Sequence, residues 1–254
     1  MGGGAVTGDA FSLSETIADA LPANVVAHGS ASGEVMARDL AVHVARHLAT
    51  ACAARGQAVL AVSGGRSPIP VFEALRGLDL PWSQITVTLV DERWVPDDHP
   101  DSNAGLVRRH LMQEKAAAAT FVPWYDGSAD PYAGQATCEA ALQALPLPFD
   151  VVLLGMGDDG HTASLFPDAP ELTVATDLTR HALCAAIMPP AAKQARLSLT
   201  RYALARQSAR LVLQWSGAAK RDVFQRAVAA PTLALPISLF LHQTSVPVDV
   251  WYAP

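Results

Sequence analysis

One turn of the chain combines an imidazole with carboxylates at a spacing that suits proton transfer. Asp158, Asp159 and His161 lie in a glycine-rich segment that begins at Gly155. The preceding apolar run, Asp150–Leu154, predicts a buried strand, so the turn falls at the carboxyl end of a strand, where open α/β sheets bind ligands. Histidine is the side chain best suited to general-base catalysis near neutral pH. The pattern therefore predicts His161 as a general base that Asp159 orients.

The same turn has other interpretations. Its glycine spacing fits the Gly-x-Gly-x-x-Gly fingerprint of dinucleotide-binding loops, but two aspartates beside a pyrophosphate would repel it. An ordinary glycine turn with solvated carboxylates is a second interpretation. Ser164 lies close to His161 and could be a nucleophile, although the chain has no Gly-x-Ser-x-Gly elbow to present it. The general-base interpretation uses the residues of the turn most fully.

A second loop is rich in groups that bind anions. The predicted strand Ala58–Val62 leads into Ser63–Pro68, which reads Ser-Gly-Gly-Arg-Ser-Pro. Gly64 and Gly65 allow consecutive backbone amides to point the same way, and Arg66 adds a fixed positive charge. A plain strand-to-helix turn is the alternative. We predict a phosphate-binding loop, because the segment holds more donors than a turn requires.

A third strand end also carries charge. The predicted strand Ile85–Val90 is followed by Asp91, Glu92 and Arg93. Arg93 could grip a phosphate with its planar guanidinium, or it could pair with either of the two carboxylates before it. The spacing alone leaves both interpretations open.

The elements that must position these loops alternate between strands and helices. Short apolar runs predict strands, and apolar residues at helical spacing predict a helix over Gly33–Arg55, capped by Ser30 or Ser32 and ended by Gly56. This alternation predicts an α/β fold: one layered domain over residues 15–254, with a largely parallel central sheet flanked by helices, after a flexible leader over residues 1–14. The remaining predicted strands include 24–28, 121–125, 211–215, 237–242 and 248–252.

Composition excludes several classes of protein. The net charge of −6 argues against a general nucleic-acid binder and against a polybasic membrane surface. The three cysteines have no Cys-x-x-Cys pair, and no apolar run reaches the length of a membrane span, so we expect a cytoplasmic protein without a membrane partner. His43 and His47 lie one helical turn apart, but no metal-binding motif surrounds them, and a solvated helix face is the expectation.

Four segments together resemble the 6-phosphogluconolactonases, in the superfamily that also holds the glucosamine-6-phosphate deaminases. The loop Ser63–Pro68 is similar to the family's early Ser-Gly-Gly loop, and Asp91-Glu92-Arg93 with the later Ser102-Asn103 is similar to its Asp-Glu-Arg segment. Gly155–Pro167 resembles the signature that ends Asp-Gly-His-Thr-Ala-Ser-Leu-Phe-Pro, and Arg196–Thr200 resembles a further family segment. The Thr-Ala-Ser-Leu-Phe continuation is the most specific part, because the deaminases carry a different sequence after the histidine.

The resemblance implies a NagB/RpiA-like, Rossmann-like fold and the hydrolysis of 6-phosphoglucono-1,5-lactone in the oxidative pentose phosphate pathway. It implies no metal and no organic cofactor. The implied partner is a small sugar-phosphate lactone, and the implied assembly is a monomer or a weak homo-oligomer. His161 would activate water and Asp159 would orient it, while Gly157 could help to stabilise the oxyanion. The implied substrate- and phosphate-binding residues are Ser63, Gly64, Gly65, Arg66, Arg93, Asn103 and a basic residue that is either Lys193 or Arg196.

The ambiguity between the last two residues comes from spacing. The family usually has about two residues between a Pro-Pro pair and the arginine, whereas five residues separate Pro190 from Arg196 here. Two other functions also stay open: an isomerase or deaminase of the same fold, against which the sequence after His161 argues, and a non-catalytic sugar-phosphate sensor, which would not need His161.

Overall fold

The computed structural model describes residues 20–190 and 193–254, and the predicted leader lies outside this part of the chain. These residues form ten strands and eight α-helices. The strands are β1 (Val25–Gly29), β2 (Ala58–Val62), β3 (Ile85–Leu89), β4 (Asp91–Arg93), β5 (Thr120–Val122), β6 (Val151–Leu154), β7 (Cys184–Ile187), β8 (Arg196–Leu199), β9 (Leu211–Ser216) and β10 (Val248–Ala253). The helices are α1 (Gly33–Arg55), α2 (Ile69–Arg76), α3 (Asn103–His110), α4 (Pro131–Gln143), α5 (Leu172–Thr176), α6 (Arg201–Arg206), α7 (Ala218–Ala229) and α8 (Ser238–Leu241).

Seven strands form one parallel sheet in the order β1-β10-β9-β6-β2-β3-β5. The predicted parallel α/β sheet is therefore confirmed. Every residue of β2 and β6 is buried, as expected for central strands that are covered by helices on both faces. Because all seven strands run the same way, the loops after β2, β6 and β9 lie together at one edge of the sheet.

Helix α1 has the bounds that the sequence predicts, and its ends show why. Ser32 caps the first turn by accepting a hydrogen bond from the amide of Val35, and Gly56 ends the helix in the left-handed conformation at φ 75°. The helix packs on β2 and β10, and α2 packs against it. Its buried stripe runs from Met36 to Cys52.

A second, three-stranded sheet has the order β4-β8-β7 and is antiparallel. The sequence does not predict this sheet, because its strands are only three or four residues long and β4 follows directly on β3. In its register Arg93 lies opposite Arg196, and Asp91 lies opposite Ser198. This small sheet therefore brings together two chain segments that are a hundred residues apart.

Two predictions about local structure are wrong. The segment 237–242 is not a strand: Ser238–Leu241 is a short helix, α8, since Pro236 precedes it and an apolar run this short does not distinguish strand from helix. His43 does not lie on a solvated face: it is buried, and its Nε2 is 3.2 Å from Oδ2 of Asp249 on β10. The acidic partner was missed because it comes from the far end of the chain.

Candidate active site

The loops at the carboxyl edge of the parallel sheet surround a cavity of about 260 Å³. Open α/β sheets bind ligands at this edge. The wall consists of the loops after β2 and β6, the end of β9, one residue of α7 and the facing residues of the small sheet. The lining residues used below are Ser63, Gly64, Gly65, Asp91, Arg93, Asn103, Gly157, His161, Arg196 and Lys220.

His161 and Asp159 form a hydrogen-bonded pair within the loop after β6. Asp159 Oδ1 lies 2.6 Å from His161 Nδ1 and also accepts the backbone amide of His161 at 3.1 Å. An ionised carboxylate can only accept, so this contact places the ring proton on Nδ1 and leaves Nε2 as a proton acceptor. In the described part of the chain Nε2 has no hydrogen-bond partner, and the ring stacks on Phe166 at 4.1 Å between centroids.

The pKa of Asp159 supports this assignment of protons. Partial burial tends to raise the pKa of the carboxyl, but the hydrogen bonds and the charge of His161 outweigh burial and hold the pKa below its usual value. Asp159 is therefore ionised at neutral pH and can stabilise a positive charge that develops on the imidazole.

Gly157 determines the position of the pair by steric means. A Cβ atom at this residue would lie 2.1 Å from His161 Nδ1 and 2.5 Å from Asp159 Oδ1. The amide of Gly157 donates to the carbonyl of His161 at 2.8 Å. This amide is therefore engaged within the loop, and an oxyanion contact from Gly157 and the amides beside it stays a prediction.

Two arginines of the small sheet also form part of the cavity wall. Arg93 donates from Nη1 to the carbonyl of Asp101 at 2.7 Å, and Arg196 lies with its guanidinium 5.0 Å above the ring of Phe166. The Nε atoms of both arginines are buried without a hydrogen-bond partner among the described residues. Arg93 makes no ion pair with Asp91 or Glu92, so the structure favours the anion-binding interpretation of its sequence position.

Asp91 lies beneath the two arginines and is almost fully buried. Its Oδ2 accepts from Ser164 Oγ at 2.5 Å and lies 3.9 Å from Arg196 Nη1. Burial lowers the pKa of Arg196, the charge of Asp91 opposes this, and the charge of Arg93 adds to it. Because Ser164 is fully buried and its hydroxyl donates to Asp91, it is not placed as a nucleophile.

Asn103 connects this wall to the glycine loop. Its Nδ2 donates to the carbonyl of Asp91 at 2.8 Å, while its Oδ1 is buried without a partner among the described residues. A Cβ atom on Gly64 would lie only 1.8 Å from that Oδ1, so glycine is required there for close approach. Ser63 also has a buried hydroxyl that lacks a partner in the same part of the chain, and Gly65 has φ 86°.

Glu92 has a structural position. It is fully buried, and its carboxylate accepts the backbone amides of Arg93, Asn103 and Ala104 at 2.7–2.8 Å. Burial raises its pKa to about 7, although these amides oppose the shift. Glu92 thereby fixes the start of α3 and the position of Asn103.

Two of the predicted phosphate ligands lie elsewhere. Arg66 is exposed and lines a neighbouring cavity, and Lys193 is exposed and lines neither cavity. Arg196 is thus the basic residue that reaches the site. Lys220 is a site residue that the sequence does not predict: its Nζ donates to the carbonyl of Met156 at 2.5 Å and lies 3.0 Å from Asp158 Oδ1. The available signal in the sequence was its position in the first turn of the helix that follows β9, close to the carboxyl end of that strand.

The described residues contain no cluster of three histidine, cysteine, aspartate or glutamate side chains that could hold a metal ion. None of the helices in this part of the chain is long and apolar enough to cross a bilayer.

Comparison with known proteins agrees with the site. The profile of the family described as glucosamine-6-phosphate isomerases/6-phosphogluconolactonase matches residues 31–250. The chain is 44% identical over 235 residues to a 6-phosphogluconolactonase from Pseudomonas putida, covering 92% of this chain and 95% of that one.

Solved structures give the same result. A crystal structure of a 6-phosphogluconolactonase from Shewanella baltica OS155 superposes with a TM-score of 0.88 at 36% identity, covering 92% of this chain and 100% of that one. A monomeric glucosamine-6-phosphate deaminase of the NagB superfamily, at 18% identity and a TM-score of 0.73, shares the fold over 89% of this chain and 96% of its own. The chain therefore belongs to the glucosamine-6-phosphate isomerase/6-phosphogluconolactonase family, and within it the 6-phosphogluconolactonases are the relatives it resembles at high identity.

Proposed function

We propose that this chain hydrolyses 6-phospho-D-glucono-1,5-lactone to 6-phospho-D-gluconate, the second step of the oxidative pentose phosphate pathway, with His161 as the general base. One observation carries the proposal. A histidine whose Nδ1 is held by a carboxylate and whose Nε2 is unpartnered among the described residues lies in the same cavity as Arg93, Arg196 and Lys220. A phosphorylated lactone requires a base at one end and positive charge at the other.

In the proposed reaction, His161 Nε2 takes a proton from water as the water oxygen attacks the lactone carbonyl. Asp159 keeps the imidazole oriented and stabilises its positive charge. The tetrahedral intermediate then breaks its bond to the ring oxygen, which receives the proton from His161. The product is the open-chain acid, and the neutral imidazole is restored. One positioned general base contributes about 10²–10⁴-fold, which suits an ester that is already reactive.

The phosphate would bind against the arginine wall. Arg93 and Arg196 each offer guanidinium donors, and their buried Nε atoms lack acceptors in the described part of the chain. Ser63, Gly64 and Gly65 line the same cavity. Binding of the phosphate here would hold the lactone carbonyl near His161, so that the base and the reacting group no longer have to meet by diffusion.

The direct test is a coupled assay as a function of pH. Glucose 6-phosphate is oxidised to generate the lactone, and the disappearance of the lactone is followed with and without the protein. We expect acceleration that falls on acidification, because a protonated imidazole cannot accept a proton. A pH-independent rate would contradict the role of His161, and release of ammonia from glucosamine 6-phosphate would instead identify a deaminase.

A further inference from the structure

A second cavity of about 190 Å³ lies beside the proposed substrate site, and the proposed reaction does not use it. It is bounded by the first turns of α1 and α2, by the loop after β2 and by the end of β9. Ser67 and Gln214 line both cavities, so the two spaces are neighbours that share a wall.

Arg66 supplies a cation to this second cavity. It lines the second cavity and not the first, and its exposed guanidinium makes no hydrogen bond or ion pair with the described residues. No carboxylate is among the residues that line the cavity. The charge on this wall is therefore uncompensated and would attract an anion.

Gln214 supplies a buried group that lacks a partner. Its side chain is 3% exposed, and Oε1 has no hydrogen-bond donor within the described residues. In the parallel register Gln214 is the partner of Trp251, whose ring contacts His43 of α1, so the Gln214 side chain projects from the sheet face that α1 covers. The second cavity lies on this face. A buried carbonyl without a donor is costly, and a ligand hydroxyl in the cavity would satisfy it.

The N-terminus of α1 adds a third feature. Gly33, the first residue of this 23-residue helix, lines the cavity, and its position has open space around it. The first amides of a helix lack intrahelical acceptors and favour negative charge. Met36, Ala37 and Val71 form an apolar wall. Cation, helix start, buried acceptor and apolar wall thus meet in one enclosed space.

We propose that the second cavity binds a small hydroxylated organic anion, a phosphate or carboxylate on a short hydroxylated body. The anionic group lies between Arg66 and the start of α1, and a hydroxyl donates to Gln214 Oε1. Because Ser67 and Gln214 also line the first cavity, a bound anion repels the substrate phosphate and raises KM. The binding step is independent of the proposed reaction, whereas the effect on KM rests on it.

Calorimetric titration of the full chain at low ionic strength tests the binding step. Glycerol 3-phosphate serves as the phosphate probe and glycerate as the carboxylate probe. We expect two equivalents of at least one probe per wild-type chain. Arg66→Ala removes an exposed side chain and weakens one site by about tenfold or more, the loss of one charge-assisted hydrogen bond. Arg93→Ala weakens the other site and leaves the Arg66 site unchanged.

Ala37→Leu is the second variant, since it fills the cavity from its apolar wall without touching the substrate site. It should bind one equivalent and keep the wild-type KM for the lactone, while the probe no longer raises that KM. A single equivalent in the wild type, lost with Arg93→Ala and unaffected by Arg66→Ala, would overturn the proposal. Failure of the lactonase assay with two equivalents still bound would count against the proposed function alone.

Discussion

Two of the histidine–carboxylate pairs in the described part of the molecule differ in their surroundings. In the loop after β6, His161 Nδ1 lies 2.6 Å from Asp159 Oδ1. At the β1 edge of the sheet, His28 Nε2 lies 2.9 Å from Asp249 Oδ1, and both Arg210 and His43 contact the other oxygen of that carboxylate. The residue types and distances are therefore similar in the two places.

What differs is the availability of a ring nitrogen beside a cavity. Asp159 serves one histidine, whose second nitrogen is unpartnered among the described residues and whose ring lines the substrate cavity. Asp249 is shared among three cationic or ionisable groups, and His28 stacks on Trp251 at 4.3 Å. A histidine–aspartate contact alone therefore does not identify a catalytic base. We expect the first pair to affect rate and the second pair to affect stability.

The largest expected effect is that of His161→Ala. Loss of the general base should lower kcat by about 10²–10⁴-fold, while inorganic phosphate still binds as a competitive inhibitor. The matched control is His28→Ala, which removes a histidine from the other pair and should keep kcat within a few-fold of wild type. The coupled lactone assay measures both. Equal losses in the two variants would erase the distinction between the pairs.

A smaller loss is expected from Gly157→Ala. The new Cβ would overlap His161 Nδ1 and Asp159 Oδ1, so the imidazole must move by a distance that can cost about 10²-fold in kcat. Gly155→Ala is the control in the same loop, because the space around Gly155 is open and its φ is not positive. If Gly155→Ala reduced kcat as much as Gly157→Ala, flexibility of the loop rather than the position of the pair would be responsible.

Next in size is the effect of the arginine wall on substrate binding. Arg93→Ala and Arg196→Ala should each raise KM by about 10–100-fold, the loss of one or two charge-assisted hydrogen bonds, with a smaller change in kcat. Arg196→Lys should restore only part of the affinity, since an ammonium lacks the planar fork. Steady-state kinetics separate the two constants. A fall in kcat at constant KM would assign the arginines to the chemical step instead.

The smallest effect on rate is expected from Asp249→Asn, which should leave kcat unchanged and lower the free energy of unfolding by about 1–3 kcal/mol. Burial alone would raise the pKa of Asp249, but His43, His28 and Arg210 hold it below its usual value. Its stabilisation is therefore present above about pH 4 and is lost on further acidification. Urea unfolding should show a difference between variant and wild type at pH 7 that narrows below about pH 4.

Elements with strong local signals were predictable. The bounds of α1 and β2 match the sequence prediction because helical spacing, a serine cap, a final glycine and an all-apolar strand act locally. The helix Ser238–Leu241 was not predictable from the sequence. It depends on tertiary packing, including a hydrogen bond from the amide of Ile237 to the carbonyl of Gly160. The register of β4 and β8 joins distant segments and leaves no local signal.

The site shows the same division. Asp159 and His161 lie two residues apart, so sequence alone indicated their contact. The choice between Lys193 and Arg196 required the register that sets Arg196 opposite Arg93. Arg66 was assigned to the phosphate because it adjoins the glycines, but the loop turns its side chain toward the second cavity. Adjacency in sequence does not determine the side of a loop on which a long side chain lies.

The facing arginines of β4 and β8 have a consequence for how the protein withstands heat. Like charges opposite each other across two strands work against strand pairing. An oxyanion that binds between the two arginines attracts both guanidinium groups and offsets their mutual repulsion. Tighter ligand binding should therefore also make the protein more resistant to unfolding. The small sheet is thus expected to unfold at a higher temperature when a phosphorylated ligand is bound than when the cavity is empty.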